Sequence, residues 1–308
     1  VLPLAEQQLI VIARVVLAHP RFVFLDRPST TLHPEQVDRV VKEMDALNMR
    51  IMVNLSGGYG DRLRKTVEAF KGRHPTRFAV FANIDFTDLD APDYPRRAAA
   101  QLEKDVQAGA QGLKIFKQFG MDMKDGAGRR IPVDDPRFDA VFQTCARLGV
   151  PVLIHTAEPK ALFDPMDRFN ERWLELKLYP RRGRPPETYP RFEELMAEQH
   201  RLFARHPKTI FINAHLGWYG NDLGRVGALL DRLPNVQTEI SAVIEELGRQ
   251  PRFARQWFIK YQDRVMFGKD TWRPAEYHTY FRILESADEY FDHDRKYHRS
   301  EEHTSELQ

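Results

Sequence analysis

From Val41 onward, short apolar runs alternate with amphipathic stretches, and this alternation confines the chain to a parallel sheet wrapped by helices. The strand candidates are 51–55, 78–84, 112–116, 152–155, 209–214, 236–239 and 265–267. Between them, 61–71, 94–108, 137–148, 192–206, 223–233 and 252–261 read as helices. Gly and Pro punctuate several junctions, as in Gly149-Val150-Pro151 and Leu233-Pro234-Asn235. A closed parallel barrel needs eight strands, one more than these runs supply. The upstream run RFVFLD, 21–26, is the one candidate for first position, and HPEQVDRVVKEMDALNM then reads as a helix leading to the strand at Ile51. The predicted fold is α/β, a (β/α)8 TIM-like barrel whose first strand is replaced or incomplete. The longest stretch between elements, 158–189, is too long for a routine barrel loop and is expected to overhang one end of the barrel.

At 308 residues and 42% hydrophobic content, the chain is long enough to fill one large core. A formal net charge of +2 provides no global field for nucleic acid or an anionic membrane, so the expected partner is a small molecule, with self-association left open. No apolar run approaches membrane-span length and no leader is visible, which suits the cytoplasm, although a start at Val1 leaves a lost leader open. Cys145, in FDAVFQTCARLG, is the single cysteine and is expected to be a buried structural thiol.

Three apolar runs end on polar side chains suited to metals: PVLIHT on His155, TIFINAHLGW on His215 and RVMFGKD on Asp270. Imidazole and carboxylate suit Zn²⁺, and a catalytic site combines about three such ligands with an open position for water. Active sites of parallel barrels gather at the C-terminal ends of the strands, where all three would lie. Each also has a plainer role. A strand-end histidine is commonly a hydrogen-bonded core residue, His215 reads as ligand or acid/base, and Asp270 as ligand or helix N-cap. Lys114, alternating with Gly112 and Phe116, would face inward, either to bind an anionic substrate group or to form a buried ion pair. Glu239 would orient His215 or a water, or make a structural hydrogen bond. Trp218 and Trp272 would wall the pocket or simply pack. His74, His200, His206, His278, His293 and His298 lie on helical or loop stretches and are expected at the surface.

The runs GLKIFK, PVLIHTAEP, TIFINAHLGW and VMFGKDTW, in this order across about 41–298, resemble the amidohydrolase-related family of metal-dependent TIM-barrel enzymes. The branch containing aminocarboxymuconate-semialdehyde decarboxylase is the most similar. The resemblance implies one divalent metal, zinc for preference, held by His155 and Asp270, with His215 close by as ligand or proton carrier. It implies hydrolysis or decarboxylation through a metal-polarised oxygen, with Lys114, Glu239, Trp218 and Trp272 around the substrate. It also exposes a departure. The family's first strand ends in a His-x-His pair, and no such pair occurs here; Asp26 and Arg27 stand in its place. A guanidinium repels a cation, so weakened metal binding and impaired activity are expected, with a non-catalytic ligand-binding barrel as the alternative.

Residues 1–40 resemble part of an ABC-transporter ATPase: Leu4, Ala5, Glu6, Gln7 and Gln8 fall in the signature region, Phe22 to Asp26 match the Walker B strand, and Ser29 to Leu32 fall in the D-loop. Arg27 replaces that family's acidic residue, and no G-x-x-x-x-G-K-[ST] loop occurs, so ATP binding is not expected. The end, RSEEHTSELQ at 299–308, resembles a translated sequencing adapter; it is expected to be a polar tail without function, which removes His303 from any site.

Overall fold

A computed structural model of the chain describes residues 23–25, 34–288 and 291. Asp26, Arg27, His293, His298, His303 and most of the ATPase-like and adapter-like segments lie outside the described residues. Eight strands are present among the described residues: β1 Val23–Leu25, β2 Met52–Asn54, β3 Phe78–Asn83, β4 Gly112–Ile115, β5 Val152–Ile154, β6 Phe211–Asn213, β7 Val236–Glu239 and β8 Val265–Met266. Each pairs in parallel with the next in sequence, which gives the order of a TIM-like barrel, and Val23 to Leu25 stand in first position beside Met52 to Asn54. Among the described residues no pairing joins β8 back to β1.

Strands β2, β4, β5 and β6 are short and buried on both faces, as parallel strands covered by helices must be. Their alternation separates two cores. Val53, Leu55, Ala79, Phe81, Leu153, Ile212 and Ala214 fill the barrel interior. Met52, Phe78, Val80, Leu113, Ile115, Val152, Ile154 and Phe211 join the larger cluster of helix-facing side chains. The interior is packed closely enough that a Cβ at Gly112 would lie 2.4 Å from the Phe81 ring.

The outer layer contains α1 Pro34–Ala46, α2 Gly60–Lys71, α3 Tyr94–Gln107, α4 Asp139–Leu148, α5 Trp173–Leu178, α6 Phe192–Arg205, α7 Leu223–Arg232, α8 Ile244–Gly248, α9 Pro251–Tyr261 and α10 Pro274–Glu285. Their ends follow local chemistry. Gly149 closes α4 at φ 67°, in the left-handed region that glycine enters without steric cost. Asp222 caps α7 by accepting from the Arg225 backbone N–H. The helix expected over 137–148 begins later, because Pro136 and the Asp135 cap form a separate 3-10 turn over Pro136–Phe138. Helices α5, α8 and α10 were not among the sequence candidates; α5 and α8 are too short to establish a 3.6-residue period.

Three histidines differ from expectation, His74 among them, its side chain 25% exposed and its Nε2 2.7 Å from Asp38. His206 is buried, its Nε2 2.9 Å from Asp139. His200 is half-buried beside Arg232, and desolvation, followed by the nearby guanidinium charges, pushes its pKa down to about 4. The burial of His200 and His206 follows from α6 packing its apolar face on the sheet. Cys145 is buried as expected, and desolvation pushes its thiol up to about 12. Among the described residues no helix is long and apolar enough to cross a membrane.

Candidate active site

Strand parity places the first members of the site. In register, Lys114 of β4 lies beside Leu153 of β5, which lies beside Ile212 of β6, and Leu153 and Ile212 face the barrel interior. Lys114 therefore faces inward, and His155, two residues beyond Leu153, inherits the same side. Both are nearly excluded from solvent. Lys114 Nζ stands 5.2 Å over the Phe116 ring. Burial holds the His155 pKa well below the ordinary imidazole range, reinforced by the nearby Lys114 and Lys117 ammonium groups, so this ring is neutral near pH 7. Its Nε2 is buried without a hydrogen-bond partner among the described residues.

His215 reaches the site by another route. Ile212 and Ala214 face inward, so a straight continuation of β6 would send His215 outward. Instead His215, Leu216, Gly217 and Trp218 all have positive φ, at 57°, 54°, 62° and 58°. Three of these are not glycine, and such conformers cost about 3–6 kcal/mol together. The fourth must be glycine on packing grounds as well, since a Cβ on Gly217 would fall 2.5 Å from Asn213 Nδ2. This left-handed turn brings His215 Nε2 to 3.3 Å from His155 Nδ1 and stacks the Trp218 indole on the imidazole, with centroids 4.4 Å apart. Ala157 and Ala242, after β5 and β7, also have positive φ, so backbone strain gathers at one end of the barrel.

Glu239 and Ser241 hold the turn. The buried Glu239 carboxylate accepts from the His215 backbone N–H at 2.6 Å, the Ser241 backbone N–H at 2.7 Å and the Ser241 hydroxyl at 2.8 Å. His215 Nδ1 in turn lies 2.8 Å from the Ser241 carbonyl and 2.9 Å from its hydroxyl. Gly268 gives this carboxylate its room: a Cβ there would lie 1.9 Å from Glu239 Oε2. Asp270 follows two residues later, with Oδ1 3.8 Å from His215 Nε2 and a side chain 38% exposed, the part of the cluster open to solvent. It does not cap α10, whose N-cap is Arg273.

The structure thus brings His155, His215, Asp270, Glu239 and Trp218 together, with Lys114 acting on His155 electrostatically. Trp272 is placed elsewhere, donating from Nε1 to Glu43 on α1 at 2.7 Å and packing on Tyr277. Ser241 and Lys269 were not singled out from sequence. Ser241 shares the parity of Glu239, a signal available in the sequence. Lys269 is buried between Gly268 and Asp270, its ammonium 2.5 Å from Glu276, a partner only the fold could reveal.

The 158–189 stretch lies over this end of the barrel and is anchored to it. Glu158 accepts from Lys117 at 2.5 Å and from Arg184 at 2.9 Å. The buried Arg172 pairs with Glu175 at 2.8 Å and, across the loops, with Glu246 at 2.7 Å, while Glu245 lies 3.7 Å away. A separate cavity of ≈ 680 Å³ is lined by Phe86, Asp88, Asp90, Arg97, Met123 and Asp125. The strand-end imidazoles do not line it, and Asp90 and Asp125 are occupied by Arg137, Gly126 and the Asp125 turn itself.

The fit to a metal is incomplete. Zn–N bonds of about 2.0–2.1 Å at a tetrahedral angle set two nitrogens roughly 3.3 Å apart, the separation of the two imidazoles. Asp270 stands wider, and among the described residues no group of three or more His, Cys, Asp or Glu side chains could hold a metal ion. The expected set of His155, His215 and Asp270 therefore supplies an imidazole pair and not a closed centre.

The family model described as amidohydrolase matches residues 72–303. No curated protein matches the chain. Among solved structures, 2,6-dihydroxybenzoate decarboxylase complexed with 2,6-dihydroxybenzoate is similar at 17% identity and a TM-score of 0.55, covering 91% of this chain and 99% of the other. An uncharacterized TIM-barrel protein from Bordetella bronchiseptica shares 15% identity, with a TM-score of 0.49 and coverage of 93% and 99%. 4-Oxalomesaconate hydratase from Rhodopseudomonas palustris shares 13%, with a TM-score of 0.48 and coverage of 98% and 91%.

Proposed function

Because this chain belongs to the amidohydrolase family, we propose that it is an enzyme of that family's hydrolase type, moving a proton through His215 at a small substrate that carries a carboxylate. The observation that carries the proposal is the convergence of His155, His215 and Asp270, from the ends of three strands, within hydrogen-bond or near-contact distance. Amidohydrolases generally use divalent metals. The described residues offer such an ion no complete ligand set, so the steps that follow are those of the side chains alone.

Lys114, buried beside His155, and Lys117, which pairs with Glu158, bring cationic groups to the ends of β4 and β5, which supports a substrate carboxylate there. His215 Nε2 takes a proton from a water attacking the substrate carbonyl and returns it to the leaving group as the acyl bond breaks. Asp270, beside Nε2, stabilises the imidazolium formed in between. Decarboxylation is a second reading, favoured by the same two lysines. There the bond to the carboxylate breaks, its electron pair stays on carbon, and that carbon takes the proton from His215. Loss of the family's first-strand ligands favours a third, a ligand-binding barrel without turnover.

The test is a panel of carboxylated lactones and amides, with acid release followed, beside 2,6-dihydroxybenzoate, with CO₂ release followed. Turnover that falls by about 10²–10⁴ in His215→Asn supports the proposal. Turnover indifferent to that substitution refutes it. Binding without turnover anywhere in the panel favours the ligand-binding barrel.

A further inference from the structure

We infer that Ser241, oriented by Glu239, is a positioning residue that fixes the tautomer of His215, so that Nδ1 carries the proton and Nε2 keeps its lone pair, 3.3 Å from His155 Nδ1. The inference rests on the reading of His215 as the proton carrier.

The argument is one of donors and acceptors. The Ser241 carbonyl, 2.8 Å from His215 Nδ1, can only accept, so it calls for a proton on Nδ1. The Ser241 hydroxyl, 2.9 Å from the same nitrogen, is a potential rival. Were its hydrogen turned toward Nδ1, it would select the opposite tautomer and put the proton on Nε2. Glu239 removes that choice by accepting the hydroxyl hydrogen on Oε1 at 2.8 Å, leaving the serine only lone pairs to offer. Glu239 cannot turn away, because its two oxygens also accept the His215 and Ser241 backbone N–H groups. The carboxylate, the hydroxyl and the ring are each nearly excluded from water, so no solvent molecule relaxes the choice. Without this bracket a neutral imidazole would distribute between both forms, and the Nε2–H form could not accept a proton toward the substrate.

The experiment is long-range ¹⁵N–¹H correlation on the full chain with labelled histidine, at a fixed pH of 7.5, with the His215 signals assigned by their disappearance in His215→Gln. The wild-type chain is expected to show a protonated Nδ1 and an unprotonated Nε2. Glu239→Met keeps the volume, removes the acceptor and releases the serine hydroxyl. Its minor Nε2–H form is expected to rise about fivefold, the ratio carried by one hydrogen bond. Adding Ser241→Ala to Glu239→Met removes the rival donor while the carbonyl stays, and should restore the Nδ1–H form; a merely structural Glu239 would give no such rescue. A protonated Nε2 in the wild type overturns the inference even if no variant folds. So does a Glu239→Met chain that is folded by circular dichroism and unchanged in tautomer, or a double variant that shows no rescue. None of these signals needs turnover, so a failed substrate panel and a failed tautomer assignment are separate results.

Discussion

Gly268→Ala should destabilise this protein far more than the loss of one glycine in a β-strand loop would suggest, and the size of the effect follows from one contact. Gly268 has no positive φ that would itself penalise alanine, so the cost is steric. A Cβ built there lies 1.9 Å from Glu239 Oε2, and the carboxylate must retreat by about 1.1 Å to reach even 3.0 Å. It cannot do so and keep its contacts of 2.6, 2.7 and 2.8 Å to His215 and Ser241. Losing one to two hydrogen bonds to a buried carboxylate costs about 3 kcal/mol. The lower chain entropy of unfolded alanine returns about 0.4–1 kcal/mol of that. A net loss of roughly 2–3 kcal/mol remains, which lowers Tm by about 3–5 °C in a chain of 308 residues. Urea unfolding followed by circular dichroism measures it, with Gly248→Ala as control. Gly248 ends α8 with nothing within 4 Å of its Cβ position, so that substitution should be neutral or slightly stabilising. The reasoning fails if Gly268→Ala costs less than about 1 kcal/mol, or if its cost is undiminished when Glu239→Ala has already removed the clashing carboxylate.

Arg172→Met should cost about 3–5 kcal/mol by leaving Glu246 buried without its hydrogen-bonded cation, Glu175 keeping Arg182, and should expose 158–189 to limited proteolysis; an unchanged digestion pattern would contradict the anchoring role. His155 has a folded pKa held well below its ordinary 6.5, so its contribution to stability is complete above that value and declines as pH falls below it. The urea midpoint should therefore drop between pH 8 and pH 5, and drop less in His155→Gln; a steeper drop in the variant would reverse the assignment. Zinc measured by mass spectrometry on the purified chain should be below one equivalent and absent from His155→Ala. A full equivalent in the wild type would mean that residues outside those described complete the ligand set.

The parts of the fold visible in the sequence are those written in short periods. The runs ending at Asn54, Asn83, Ile115, Ile154, Asn213, Glu239 and Met266 are apolar, brief and separated by helical patterns, and a parallel sheet is the arrangement that buries both of their faces. Lys114, His155 and Glu239 were legible for the same reason, since a two-residue alternation carries each to the interior side. Asp270 was legible as a polar stop two residues after Gly268. Less visible were contacts between segments far apart in the chain. Trp272 follows a site strand, yet its indole bonds to Glu43 on the first described helix. Arg172 lies in a stretch without periodicity, and its partners Glu245 and Glu246 lie on a helix too short to announce itself.

The sequence by itself determined that strands and helices alternate, and which end of the barrel collects the polar side chains, because hydrophobic period and strand parity are local properties. Tertiary structure decided what those side chains can do together. His215 shows the division most directly. Parity along β6 directs it away from the interior, and only a left-handed turn of four residues, tied down by a carboxylate on the next strand, reverses it. No local preference favours that turn, since three of its residues would avoid the conformation in isolation. The hydrogen bonds that outweigh the strain come from residues 24 and 26 positions further along the chain, and they exist only once β6 and β7 have paired.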